Sequence, residues 1–239
     1  MNERYRELTV MEQIAAHDKG MGHAEAQVMK DSFEDPVEFS KALQIMATKR
    51  KHYFLFDVET TGLPKSWQAP LKDFDNWPRI VQIAWLRYDA EGHELSRGNR
   101  IIKPEGYSIP KAASDIHGIT TEIAIEQGRP AGSVFSEVYQ EMKLVQVLVA
   151  HNINFDSKVL GSEFLRYCMP RIDPPLQRFC TMLSTVQFCD LPKHKWPKLV
   201  ELHRKIFGEG FAGEHDAMAD IEATARCFWE LKFRGIIKV

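Results

Sequence analysis

Asp57 and Glu59 stand two residues apart at the end of the run Tyr53-Phe54-Leu55-Phe56-Asp57-Val58. At that spacing two side chains leave the same face of a β-strand, so both carboxylates point one way. Like charges so placed are unfavourable away from water unless a proton or a cation offsets them. Hard divalent cations such as Mg²⁺ and Mn²⁺ take oxygen ligands of this kind. Taken alone, the pair reads more readily as two acids in an exposed turn after the strand.

Two further fragments carry similar chemistry. Asp156 ends Ala150-His151-Asn152-Ile153-Asn154-Phe155-Asp156, after an apolar run and at the opening of a helix. An acid in a first helical turn is favoured by the macrodipole, which is its plainer reading. Position argues the other way, because the ends of adjacent strands are where open α/β sheets carry their sites. The third fragment is Glu214-His215-Asp216-Ala217-Met218-Ala219-Asp220. Within one helix, His215 and Asp220 lie about 140° apart and share no face. They converge if His215 occupies the loop after Gly213, with Asp216 as helix cap and Asp220 on the second turn.

The elements that must position these residues follow from patterning. Tyr53 to Val58 is apolar on both faces, as a central strand is. Ile80 to Tyr88 predicts a second strand, Asp89-Ala90-Glu91-Gly92 a turn, Leu95 to Ile102 a third strand and Val145 to Ala150 a fourth. Helices are expected from an Asn154 cap through Val159, Leu160, Phe164 and Leu165, from Lys198 to Phe207, and from about Asp216 to Phe233. An antiparallel meander followed by alternating strands and helices implies a mixed sheet covered by helices.

In combination the fragments resemble the DnaQ-like exonucleases, called DEDDh after four acids and a histidine. The resemblance spans residues 52 to 233. Its motifs match Phe56-Asp57-Val58-Glu59-Thr60-Thr61-Gly62-Leu63, His151 to Asp156, and His215 to Asp220 followed by Ala223-Thr224; His117-Gly118-Ile119-Thr120 matches a shorter segment between them. It implies an RNase H-like α/β fold, a mixed five-stranded sheet flanked by helices, and removal of nucleotides from 3′ ends. It also implies two divalent cations, Mg²⁺ or Mn²⁺. Asp57, Glu59 and Asp220 would hold one, Asp57 would bridge to the other, and Asp156 would help hold that second ion. His215 would accept a proton from the attacking water, a role that suits a group titrating near neutrality. Thr60, Thr61, Gly62 and Leu63 would contact the terminal nucleotide with help from His117, although turn chemistry alone accounts for the threonines about as well.

Residues 64–78, with Trp67, Trp77 and Asp73-Phe74-Asp75-Asn76, are longer than in compact members of that family. Tryptophans in such a loop more often pack on their own domain than on a base. Residues 1–51 read as a separate helical extension to the nuclease domain at 52–239. Phe39, Leu43, Met46 and Ala47 form an amphipathic stripe there, suited to docking on the domain itself, a polymerase or another partner.

Composition sets outer limits. The 239 residues are 44% hydrophobic and 27% charged, with formal net charge −2, so a polyanion must be met by a local patch or by bound cations. Cys168, Cys180, Cys189 and Cys227 lack zinc-ligand spacing. With neither a disulfide framework nor a signal peptide, they fit a reducing, cytoplasmic setting. No apolar run approaches the length of a membrane span. DNA is the preferred substrate expectation, RNA trimming an alternative, and a nucleic-acid-binding module without catalysis a third reading. The five competent residues weigh against the last.

Overall fold

The computed structural model describes residues 51–172 and 176–239. Five strands form one sheet in the order β3-β2-β1-β4-β5. β1 (Tyr53–Thr60), β2 (Ile80–Tyr88) and β3 (Glu94–Ile101) make an antiparallel meander. β4 (Val147–Ala150) runs parallel to β1, and β5 (Gln177–Cys180) parallel to β4. This is the RNase H-like mixed sheet, with β1 at its centre.

Strand alternation sorts β1 between two apolar layers. Phe54, Phe56 and Val58 enter one core, packed by α3 (Ala131–Met142) and α4 (Ile153–Arg166). Tyr53 and Leu55 enter the other, packed by α7 (Leu199–Phe207) and α8 (Ala217–Phe233). Asp57 and Glu59 continue the odd-numbered face, so they point toward the α8 side of the sheet. Among the described residues the remaining helices are α1 (Lys111–His117), α2 (Thr121–Gln127) and the single turns α5 (Thr181–Ser184) and α6 (Val186–Cys189). A 3₁₀ turn at Pro192–His194 precedes α7.

Several expectations need adjustment. The cap of α4 is Asn152, in the left-handed region at φ 77°, so Asn154 is already helical. Asn tolerates that backbone better than most residues, which lets the chain turn sharply from β4 into the helix. β4 begins at Val147, because Gln146 is spent tying down the strand's start: its side chain accepts from the His52 N–H at 2.8 Å. α1, α2 and α3 carry no sequence reading above; α1 and α2 are only seven residues long and bury one alanine each, too little to show a periodic stripe. β5, four residues with an exposed start, shows no apolar run either.

The 64–78 segment packs onto its own domain. Trp77 is buried and donates its indole N–H to the Pro70 carbonyl at 3.0 Å. Asn76 bridges Ser66 in both directions, and Lys158 and Arg166 of α4 reach the carbonyls of Trp67 and Phe74. At its base, Arg79 Nε pairs with the buried Glu163 at 2.7 Å, and the same carboxylate oxygen accepts the Ile80 N–H. Trp67 is exposed, its ring 5.9 Å from that of Phe155, the residue before Asp156. The expected N-terminal helices lie outside the described residues. Of the cysteines, Cys189 and Cys227 are buried, Cys180 is part-buried and Cys168 is exposed, all as free thiols.

Candidate active site

The acidic cluster forms where β1 leaves the sheet. Ligand atoms of Glu59, His215 and Asp220 lie within 4.8 Å of one another. Asp57 and Asp156 face the same space: burial first, then Asp156, Asp220, Glu59 and Asp216 in turn, push the Asp57 carboxyl well above its ordinary range. Burial and the charges of Asp220, Asp156 and Asp216 raise Glu59 to about 8. Asp156 is likewise raised to about 8, mainly by burial, against the pull of its own and the Val58 backbone N–H groups. Asp220 is raised to about 6, again mainly by burial, with His215 opposing. Each carboxyl therefore holds its proton more tightly than it would in water. Acids that raise one another in this way could be offset by a cation, and their oxygen atoms would suit a hard divalent ion such as Mg²⁺ or Mn²⁺.

Local sequence explains the convergence of the third fragment. Asp216 caps α8, accepting from the Met218 and Ala219 N–H groups at 3.1 and 3.0 Å. Gly213 at φ 83° admits the turn, and a Cβ there would lie 2.9 Å from that of Ala219. His215 adopts φ 69°, and its backbone N–H donates to Asp220 Oδ2 at 3.2 Å. A non-glycine residue held in this region costs on the order of 1–3 kcal/mol, a cost the fold retains where it shapes a site.

The loop after β1 divides its labour. The Thr60 hydroxyl donates to the Gly62 carbonyl at 2.7 Å, and the Thr61 hydroxyl accepts the Arg79 N–H at 3.0 Å. Both threonines thus perform turn chemistry. Gly62, at φ 146° with open space where a Cβ would be, and Leu63, 75% exposed, form the accessible part of the loop. His117 ends α1 with Nδ1 accepting the Ile119 N–H at 3.1 Å. Burial lowers its pKa, and its Nε2 is buried without a hydrogen-bond partner among the described residues.

Gln82 carries no role in the sequence reading and holds the site together. It is buried opposite Glu59 in the β1–β2 pairing. Its amide nitrogen donates to Asn99 Oδ1 at 2.9 Å and Asp216 Oδ2 at 3.3 Å, and its oxygen accepts the Ala217 N–H at 3.4 Å. The start of α8 is thereby fastened to the strand beside Glu59. The available signal was one amide inside the apolar run Ile80 to Leu86. Gln82→Leu is expected to lower divalent-metal affinity or turnover roughly 10- to 100-fold, as loss of an outer-shell partner does, with folding retained; metal titration by calorimetry checks it. His151 is a second anchor. Its Nδ1 lies 3.0 Å from the Thr181 hydroxyl and its Nε2 2.9 Å from the Pro197 carbonyl, and burial lowers its pKa to about 4.

An RNase H-like sheet with acids from the end of β1 and the first turn of α4, and a His-x₄-Asp helix start, defines the DnaQ-like class of nuclease fold. The chain belongs to the RNase_T exonuclease family, whose model matches residues 54–228. Among curated relatives, the PolC-type DNA polymerase III of Streptococcus thermophilus is 30% identical over 195 residues, 81% of this chain and 12% of the polymerase. That of Streptococcus pneumoniae is 28% identical over 176 residues, 73% of this chain and 11% of the polymerase. The chain thus spans about a tenth of the length of these relatives. Among solved structures, an E. coli exonuclease I complex with single-stranded DNA aligns with TM-score 0.61 at 22% identity, covering 77% of this chain and 41% of that one. Product-bound exonuclease I aligns at 0.59 and 21% identity, covering 77% and 44%. These likenesses show the shared fold. No helix among the described residues is long and apolar enough to cross a membrane.

Proposed function

We propose that the chain is a DEDDh-type 3′–5′ exonuclease that hydrolyses the terminal phosphodiester of single-stranded DNA and releases nucleoside monophosphates. The observation that carries this reading is the convergence of Glu59, His215 and Asp220 within 4.8 Å, with Asp57 and Asp156 facing the same space. Asp57, Glu59, Asp156 and Asp220 would hold two divalent cations, which when bound supply charge neutralisation at both the attacking and the leaving oxygen. His215, on a turn fixed by Asp216 and Gln82, takes the proton of the attacking water. Leu63 and the open backbone at Gly62 receive the terminal nucleotide, with His117 assisting. Relatives that are DNA polymerases favour DNA over RNA as the substrate of this chain, and work beside a polymerase as its setting.

The test is a gel assay on 5′- and 3′-labelled DNA and RNA strands of one sequence, with Mg²⁺, Mn²⁺ or chelator. A metal-dependent ladder shortening from the 3′ end, stronger on DNA, is the expected result. Preference for RNA would make the chain a trimming exoribonuclease, and no cleavage with either metal would leave a binding module.

The raised carboxyls also predict a pH dependence. Glu59 and Asp156 at about 8 and Asp220 at about 6 bind more protons folded than unfolded, where ordinary values lie near 4. The metal-free protein therefore loses stability as pH rises through that window, with the fall ending above about pH 8. Mg²⁺ displaces those protons, so binding tightens with pH and releases protons at pH 7. Melting curves from pH 5 to 9 with and without Mg²⁺, and calorimetry in two buffers of different ionisation enthalpy, check both signs.

A further inference from the structure

The mechanism above accounts for the terminal nucleotide and leaves the rest of the strand without a path. The segment Leu191-Pro192-Lys193-His194-Lys195-Trp196-Pro197-Lys198 supplies the chemistry for one. Every residue from Pro192 to Trp196 is exposed, as is Lys198, and Trp196 shows 61% of its surface. On a chain of net charge −2, three lysines, a histidine and an indole within six residues form a local basic patch interleaved with an aromatic. That composition is what single-strand binders use, with cations along phosphates and rings under bases.

Its placement is fixed by the site. Pro197 is buried, and its carbonyl meets His151 Nε2, which donates at 2.9 Å. His151 follows directly on β4, whose Val149 pairs with Leu55, two residues before Asp57. Neighbouring strands lie about 4.8 Å apart, so His151 stands one strand over from Asp57 and Pro197 is fastened to its ring. The loop is shaped and not slack. Asp190, Lys193 and His194 all take positive φ, and the Lys198 N–H donates to Glu201 at 2.8 Å at the start of α7. Lys195 is engaged by Glu201 at 2.8 Å.

We infer that the 191–198 loop is a single-strand binding ridge on which Trp196 stacks a base upstream of the terminal nucleotide while Lys193 and Lys198 contact the flanking phosphates. The inference rests on the nuclease reading for the direction of the strand. A protein partner is the competing occupant of the same patch.

The test measures fluorescence anisotropy of dye-labelled dT12 and dT2 on the full chain, with Trp196→Ala, Trp196→Phe and Lys193→Ala, alongside cleavage of dT12 by the parent. The parent is expected to bind dT12 more tightly than dT2. Trp196→Ala should weaken dT12 binding roughly 5- to 150-fold and narrow that gap, and Trp196→Phe should recover much of it. Lys193→Ala should reduce the slope of log affinity against log salt by about 0.7. Unchanged dT12 binding in Trp196→Ala with an unchanged melting temperature overturns the ridge and leaves the patch to a protein. A fall shared equally by dT2 and dT12 also overturns it, since the loop would then act only through the site. Trp196-dependent binding without cleavage keeps the ridge and defeats the hydrolytic reading; cleavage with Trp196-independent binding does the reverse.

Discussion

His215→Ala is expected to slow hydrolysis roughly 10²–10⁴-fold, the usual contribution of a general base, while divalent-metal affinity falls far less. The expectation comes from the geometry of the turn. His215 lies beside Glu59 and Asp220, and its backbone N–H, which the substitution preserves, donates to Asp220 at 3.2 Å. Asp216 and Gln82 hold the start of α8 without help from the imidazole. Rate measurements at saturating strand, paired with metal titration, separate the two roles open to this histidine. A rate loss with metal affinity retained identifies the base. Parallel collapse of both would make His215 a ligand, and full activity would remove it from the chemistry.

Asp57→Asn is expected to bring activity down to the level of the chelated parent and, at the same time, to stabilise the metal-free protein. The two effects share one cause. Burial, then Asp156, Asp220, Glu59 and Asp216, all press on Asp57, so its charge is tolerated only when a cation offsets it. A neutral amide removes the cost of that charge, or of the proton that must offset it in the metal-free protein, so the variant melts at a higher temperature than the parent. Magnesium should then stabilise the variant less than the parent. Melting curves with Mg²⁺ and with chelator read both effects. A metal-free variant less stable than the parent would mean that Asp57 serves packing or hydrogen bonding, and that the acids do not strain the fold.

What the sequence determined is local. The two-residue spacing of Asp57 and Glu59 on an apolar strand dictated a common face, and His215, Asp216 and Asp220 could meet a shared point only as loop, cap and helix. Both statements follow from backbone periods of 2 and 3.6, which any reader of the chain can apply. The meander also declared itself, because β1 and β2 carry long apolar runs and a turn follows β2. The short elements did not: α1, α2 and β5 are stabilised by what packs on them, and isolated segments of that length carry little signal.

Tertiary structure decided which face of the sheet the acids share with α8, through the assignment of Tyr53 and Leu55 to one core and Phe54 and Phe56 to the other. It alone brought Gln82 onto Asp216 across 134 residues of sequence, and His151 onto Pro197 across 46. Such contacts have no periodic signature, since an amide or an imidazole gains its meaning from the partner it finds when buried. For the same reason the threonine hydroxyls, equally suited on paper to a ligand or a turn, found their partners at Gly62 and Arg79 only in the fold.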